Sequence, residues 1–508
     1  MKLKYIFSGL LISTFFLFIV ACSLNYDPID TYSDVTEGES EEGERTVVFR
    51  DRAAVQGHMQ TIYRTLRERQ EHWYLDVLLI ADARSDNAYG GTTGAEVIPF
   101  ENNAIEGSNS VITRGWNRFM QDIAVANRLI CNIDDVTDPA LTAAERERFR
   151  AEAKIFRAMI YFDMVRLWGD IPLIITEADD ITSETISEVY PQYFPSQSSE
   201  LEVYQQIEKD LLEALPHALD NNPTDKTILS KSVARTILTK IYAEKPLRDY
   251  AKVIQYADAL TADGFDLMGD FSDLFGMNDD VTDTRMRNTR ESIYEAQFFP
   301  GSGNWVTWMF GRDLVNWNSN FTWAKWVTPS RDLIRAFQVE GDRIRFEQSI
   351  VYYETNWSNY YPRTHYPFMY KCRSAYSSII KYRYADVFLL KAEALIMRDN
   401  PDLNAAADII NRIRQRAGLS NLPASVRGNR ESMLNALLTE RRLELAFEGQ
   451  RWYDLVRLDK VEEVMNSVFS RDPGRRPLAH PFNQNSYRLP IPQSVIDQNP
   501  NLVQNPGY

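Results

Sequence analysis

The sequence predicts a mainly α-helical fold, in which helical hairpins form a scaffold and a loop-rich region is inserted. Three observations predict it. Apolar residues recur at spacings of three and four along ten segments, the period of a helix with one buried face. Two pairs of these segments share the same internal spacing. Two stretches, residues 264–290 and 298–330, are rich in Gly, Asn, Asp and Ser and lack that period.

The N-terminus is typical of a signal peptide. Lys2 and Lys4 precede a mostly apolar run, residues 6–21, which is shorter than the roughly 20 residues of a spanning helix. The run ends in IVAC, which resembles a bacterial lipobox, so we expect residues 1–21 to be removed and Cys22 to be lipidated. An ordinary signal peptide with a chance cysteine, or a short membrane anchor, is the alternative.

Residues 22–44 are acidic and poor in large apolar side chains, which predicts a flexible tether. Residues 45–508 are then expected to form a single domain with a loop-rich region at about 264–380. The net charge of −15 argues against a nucleic-acid partner. Cys131 and Cys372 are predicted to be buried thiols, with one long-range disulfide as the alternative.

Within this domain the apolar period predicts the helices in order. They span residues 53–67, 116–133, 145–167, 201–219, 231–243, 249–261, 382–397, 403–416, 431–447 and 450–456. A short strand is predicted at 290–297 and a further helix at 331–337. Four prolines follow Tyr487, so the tail is predicted to be extended.

The helices beginning near Ile237 and Phe388 each open a hairpin of similar design. In each, a lysine stands three residues before an alanine, a charged turn follows, and the second helix closes at Gly264 or Gly418. This spacing resembles a tetratricopeptide-type hairpin. Two further candidates, near residues 145–172 and 431–457, bring the predicted number to about four.

The most specific strings lie near the C-terminus. They are KYRYADVFLLKAEA (381–394), NRIRQRAG (411–418), ERRLELAFEGQRWYDLVR (440–457) and the final QNPGY. Together with WGDIP (168–172), ESIY (291–294) and TPSRDL (328–333), they resemble the SusD/RagB family of outer-membrane nutrient-binding lipoproteins. The resemblance covers essentially the whole mature chain.

That resemblance implies four tetratricopeptide-like units and a more irregular half. It also implies a lipid-anchored protein on the outer membrane that faces the cell exterior. There it would cap a SusC-like TonB-dependent transporter and hand it oligosaccharides. Some relatives deliver peptides instead, so a peptide ligand stays open.

The charged residues of the 440–457 string are predicted to be structural. On a continuous helix Arg441 would face Glu444, and Glu448 would face Arg451, because residues three apart are neighbours. A catalytic cluster is the alternative, but a charged lattice that fixes helix packing needs no substrate.

Motifs for other chemistry are missing from the sequence. No HExxH, CxxC, GxSxG or phosphate-binding loop occurs, and we predict no catalytic residue, metal or cofactor. A calcium site at Asp279, Asp280 and Asp283 is an alternative to a solvated acidic loop. A glycoside hydrolase is the enzymatic alternative, with Asp313 and Asp332 near the tryptophans.

Five of the ten tryptophans fall between residues 305 and 326, within a predicted loop. An indole face can lie against the C–H groups of a sugar ring. The predicted glycan-binding residues are therefore Trp305, Trp308, Trp317 and Trp323, with Arg312 and Asn316 as candidates for sugar hydroxyls. Trp326, which precedes a predicted helix, is equally well explained as buried.

A second contribution is implied by the family resemblance at DARSDNAYGG (82–91). Asp86, Asn87 and Tyr89 are candidates for hydroxyl binding or stacking, and a polar turn is the alternative. The main hypothesis is a non-enzymatic protein that binds oligosaccharides. A peptide-binding protein, a hydrolase and a transporter lid without its own ligand are the alternatives.

Overall fold

The computed structural model describes residues 47–91, 96–179, 181–311, 325–357 and 359–508. The predicted signal peptide, tether and lipidation site at Cys22 lie outside these ranges. Phe49–Tyr508 form one compact unit. In the described part of the chain, no helix is both long enough and apolar enough to cross a membrane.

The described chain is mainly helical, as the apolar period predicts. The α-helices are α1 Arg52–Glu68, α2 Asp76–Leu78, α3 Ile98–Asn102, α4 Ser110–Asn132, α5 Ala143–Trp168, α6 Ile186–Val189, α7 Glu200–Ala214, α8 Lys231–Ala243, α9 Tyr250–Ala262, α10 Ser272–Phe275, α11 Trp305–Met309, α12 Arg331–Glu340, α13 Arg343–Ser349, α14 Tyr384–Met397, α15 Leu403–Arg416, α16 Ala424–Arg427, α17 Arg430–Glu444, α18 Arg451–Arg457, α19 Val461–Arg471 and α20 Gln493–Gln498.

Helix α5 runs through the centre of the core. Thr142 caps its first turn by accepting a hydrogen bond from the Glu145 N–H at 3.2 Å. From Ile155 to Trp168 every side chain is buried, so the second half is covered on all sides. Helices α4 and α7 pack against it.

The two predicted hairpins are present as the pairs α8–α9 and α14–α15. Gly264 and Gly418 follow their second helices with φ of 92° and 74°, the left-handed conformation that favours glycine after a helix. Lys240 of the first hairpin reaches the second, because its Nζ donates to Asp386 Oδ2 at 2.5 Å. A buried ion pair therefore fixes how the two hairpins pack.

Strands occur in the described chain as four antiparallel two-stranded ribbons. They pair β1 Ala88–Gly90 with β5 Val327–Pro329, β2 Ile171–Pro172 with β3 Gln197–Ser198, β4 Ser292–Ala296 with β8 Ile379–Arg383, and β6 Ile350–Tyr353 with β7 Tyr366–Met369. Strand β4 confirms the short strand predicted at 290–297. The β1–β5 ribbon joins the N-terminal segment to the loop-rich region, with Tyr89 opposite Thr328.

Two sequence expectations are wrong in detail. The tail is not wholly extended, because Pro492 precedes the short helix α20. The helix predicted at 431–447 ends at Glu444, and Phe447 and Gly449 then adopt φ of 60° and 71°. Cys131 and Cys372 are free thiols, as predicted; Cys372 is buried, whereas Cys131 is only half-buried.

Candidate functional site

The short helix α11 carries two of the predicted tryptophans, and it begins at a buried asparagine cap. Asn304 accepts a hydrogen bond from the Thr307 N–H at 3.0 Å. Its side-chain nitrogen donates to the carbonyl oxygens of Ser374 and Ser377, at 2.8 and 2.9 Å. One side chain thus starts the helix and fastens it to the segment before β8.

Trp305 and Trp308 lie three residues apart, on one face of α11. Their exposed fractions are 41% and 45%, whereas the neighbouring Val306 and Met309 are buried. The helix therefore presents two large flat rings side by side at the surface. Such rings are suited to stacking on the apolar face of a sugar ring.

Neighbouring elements hold α11 at both ends. Gln70, itself buried, donates to the Gly303 carbonyl at 3.0 Å and accepts from the Trp305 N–H at 2.7 Å. At the other end, Lys325 Nζ donates to the Trp308 carbonyl at 2.6 Å. The two rings therefore stand on a backbone fixed from several sides, which lowers the entropy cost of binding a ligand.

The other predicted residues of this loop, Arg312, Asn316, Trp317 and Trp323, lie outside the described residues. Trp326 is half-buried. Its carbonyl accepts from the Gly91 N–H at 3.2 Å, and its ring centre lies 6.3 Å from that of Phe310. Trp326 therefore joins the loop to the β1 segment.

The structure corrects the roles suggested for Asp86 and Asn87. Both are fully buried. Asp86 accepts two hydrogen bonds from Arg451, at 2.8 and 2.9 Å. Burial alone would raise the pKa of Asp86, but Arg442, Arg451 and Arg471 hold it below its ordinary value. Asn87 accepts from Arg442 Nε at 3.0 Å. Neither side chain faces a ligand surface.

Tyr89 is also buried, and the same correction applies to it. Its hydroxyl lies 2.7 Å from Asp472 Oδ1, and its ring stacks on Tyr360 with centres 4.4 Å apart. Burial and the nearby Asp472 raise the pKa of Tyr89 to about 12, although Arg331 opposes the shift. The segment 82–91 therefore supports the site from within the fold, and the hydroxyl-binding expectation for it is not retained.

The C-terminal string is structural, as predicted, but its predicted pairs are wrong. Arg441 pairs with Asp454 and Asp386, at 2.8 and 2.7 Å. Glu444 pairs with Arg345, Arg383 and Arg416, at 3.2, 2.6 and 2.5 Å. Burial opposes ionisation of Glu444, and the three arginines nevertheless hold its pKa below the usual range. Glu448 and Arg451 do not share a helix, because α17 ends at Glu444 and α18 begins at Arg451.

The acidic loop near Asp283 is held by protein groups. Asp283 Oδ1 accepts from Arg287 Nη2 and from the Thr284 N–H, both at 2.7 Å. Over the described ranges, no group of three or more His, Cys, Asp or Glu side chains is arranged to hold a metal ion.

Sequence reasoning missed two residues beside α11. Gln70 gave no signal, because one glutamine near a helix end is unremarkable in a sequence. Phe299 precedes Pro300 and Gly301 and is 46% exposed. In the sequence, an aromatic residue next to a Pro-Gly turn is the signal that indicates Phe299.

Two family models match the chain. The model of the SusD family matches residues 291–508, and a model described as starch-binding associating with outer membrane matches residues 40–243.

The chain is also similar to curated proteins. It is 26% identical to SusD-like protein P2 of Formosa agariphila, covering 85% of this chain and 87% of the relative. It is 24% identical to a SusD-like protein of Bacteroides ovatus, covering 88% and 81%.

Solved structures share its fold. A laminarin-binding SusD-like protein matches with a TM-score of 0.68 and 23% identity, over 91% of this chain and 100% of that one. Surface glycan-binding protein A of Bacteroides thetaiotaomicron, in complex with laminarihexaose, matches with a TM-score of 0.70 and 18% identity, over 90% and 99%.

Proposed function

The chain belongs to the SusD family, and from this premise we propose that it is a non-enzymatic surface protein that binds oligosaccharides. The observation that carries the proposal is the pair of exposed indoles on α11, which stands on a backbone held by Asn304, Gln70 and Lys325. Solved relatives that bind laminarin or laminarihexaose support the ligand class.

The wider role extends this binding function. Lipidation of Cys22 would anchor the protein to the outer membrane, and an acidic tether of about twenty residues would let the domain stand above the surface. The protein would then deliver its glycan to a SusC-like TonB-dependent transporter on the exterior face. The outer-membrane description of the matching family model supports this location.

Binding is favoured over hydrolysis by the state of Asp332. This residue is buried, and its two carboxylate oxygens accept from Arg442 and Arg471, each at 2.8 Å. A carboxylate that is buried between two arginines is not open to a glycosidic bond. Asp313, its proposed partner, lies outside the described residues.

The test is calorimetric titration of the full-length chain, in detergent, with starch, laminarin, mannan, xylan and pectin, and with a peptide mixture. Trp305→Ala and Trp308→Ala together should weaken binding of the glycan that responds. Stacking contributes roughly 1–3 kcal/mol per ring by analogy with nucleobases, so we expect a loss of about tenfold or more.

Tyr193→Ala is the matched control, because Tyr193 is 48% exposed and lies on the helical turn Tyr190–Tyr193, which contacts α6. It should leave the affinity unchanged. Unchanged glycan affinity in the double tryptophan variant would show that α11 is not the site. A response to peptides without any response to glycans would replace the proposed ligand class.

A further inference from the structure

A second concave surface includes Phe299, at the start of the turn that leads into α11. It is an open cleft of about 720 Å³ between α1, the segment 224–228 and the end of β4. Its floor and walls include Tyr63, Ile228, Tyr294 and Phe299, and its rim includes Gln60 and Gln297. A mostly apolar cleft with a few polar groups at the rim is the usual form of a small-ligand site.

The ring of Phe299 packs against the guanidinium of Arg287. The guanidinium carbon of Arg287 lies 5.2 Å from the centre of the Phe299 ring. Arg287 is itself fixed, because it donates to Ser378 Oγ at 2.8 Å and to the carbonyls of Phe298 and Tyr376 at 3.1 and 2.9 Å. The exposed ring is therefore a prepared stacking platform, whose position does not have to be ordered by a ligand.

The rim offers amide groups with spare hydrogen-bonding capacity. The Gln297 nitrogen donates to Asn288 Oδ1 and Glu295 Oε1, both at 2.7 Å, which fixes the amide. Its carbonyl oxygen and the whole side-chain amide of Gln60 have no hydrogen-bond partner among the residues that the structure covers. Amides that both donate and accept are suited to sugar hydroxyls.

The charges around the cleft are balanced. The charged residues that line it are two arginines, Arg64 and Arg67 on α1, and two carboxylates, Asp225 and Glu295. This balance gives a charged ligand no net attraction, and it favours a neutral one.

We propose that this cleft is a second subsite, which binds one or two neutral sugar units. The proposal rests on the function proposed for α11. Phe299 begins a turn, closed by its N–H bond to Ser302 at 3.3 Å and the reverse bond at 2.9 Å, that leads directly to Trp305. Six residues span at most about 20 Å, at 3.3–3.6 Å each, so one short oligosaccharide can reach both surfaces.

Saturation-transfer NMR tests the cleft on the full-length chain in detergent, with glucose, galactose, mannose, xylose, maltose and laminaribiose as probes. In a variant that combines Trp305→Ala and Trp308→Ala, transfer to at least one probe should persist. Adding Phe299→Ala should weaken that binding at least about fivefold, the lower end expected for one stacked ring. Gln60→Ala should weaken it as well, and Tyr193→Ala should not.

The outcomes separate the two proposals. Transfer that is lost in the double tryptophan variant, and that is unchanged when Phe299→Ala or Gln60→Ala is made in the wild type, would contradict the proposed subsite. It would not contradict the function proposed for α11. A lack of transfer from the wild-type protein to any of the probes would also overturn the proposed subsite, whereas the polysaccharide titration decides the proposed function independently. Gln60 and Phe299 are both exposed, so the thermal unfolding of the Gln60→Ala and Phe299→Ala variants should match that of the wild type.

Discussion

Replacing Asp86 by asparagine separates a structural role from a ligand role for the segment 82–91. The carboxylate of Asp86 is buried and lies within 2.8–3.7 Å of Arg451, Arg442 and Arg471. Asparagine has nearly the same shape but no charge. The substitution therefore leaves the guanidinium of Arg451, itself buried, without its ionic partner.

The size of the effect follows from that geometry. Removing one partner of a buried ion pair costs about 3–5 kcal/mol, because the other charge stays in the interior uncompensated. The roughly 460 residues of Phe49–Tyr508 have an unfolding entropy of about 1 kcal/mol/K, at about 2.1 cal/mol/K per residue. Asp86→Asn should therefore lower the Tm by about 3–5 °C.

The assay is thermal unfolding at pH 7, followed by circular dichroism, together with glycan titration at 20 °C. The affinity of the folded variant should equal that of the wild type. Because the arginines lower the pKa of Asp86 against the effect of burial, its stabilisation is present above the ordinary carboxyl pKa and is lost as the pH falls. The difference between variant and wild type should thus shrink below about pH 4.

Asp220→Asn is the control, since that carboxylate is 85% exposed in its pair with Lys231 and should not change the Tm. An unchanged Tm for Asp86→Asn, combined with weaker glycan binding, would refute the structural interpretation. Such a result would indicate that Asp86 contacts the ligand.

Two further predictions concern stability. Burial raises the pKa of Asp76 to about 7 despite Arg114, so its contribution to stability is lost as the pH rises from about 4 to 7. Over this range the free energy of unfolding of Asp76→Asn should fall by up to about 4 kcal/mol less than that of the wild type, at about 1.36 kcal/mol per pKa unit. Parallel curves of unfolding free energy against pH would contradict this. Gly311→Ala would place a methyl 2.8 Å from the Cys372 carbonyl oxygen, next to α11, and should destabilise by about 1–3 kcal/mol in thermal unfolding. Gly57→Ala, on a helix with nothing within 4 Å, should instead stabilise by about 0.5–1 kcal/mol, and equal effects of the two changes would disprove the steric argument.

The scaffold could be predicted wherever helices have one buried face. The bounds predicted for α8 and α15 match the structure at both ends. The same reasoning missed the turns of π-helix at Glu71–Leu75 and Leu79–Ala83. Nearly every residue there is buried, so the sequence shows no alternation between an apolar and a polar face.

The candidate site was predictable only in part. The crowding of tryptophans pointed to the loop that carries α11, because large flat side chains among Gly and Asn are unusual in a core. The prediction for the polar segment 82–91 is wrong, since Asp86 and Asn87 are residue types typical of an exposed turn but are buried. Their partners, Arg451 and Arg442, are more than 350 residues away, and no local pattern reports a contact over that separation.

The same long-range contacts set an order of events for the growing chain. Arg84 donates to the carbonyl of Ser486 at 2.5 Å, and the indole of Trp168 donates to that of Pro490 at 3.1 Å. The first half therefore lacks essential partners until almost the last residue has been synthesised, and such non-local closure slows folding. A chain that ends shortly after residue 440 lacks Arg442, Arg451 and Arg471, the three cations around Asp86, so truncation leaves the carboxylate of Asp86 without an ionic partner.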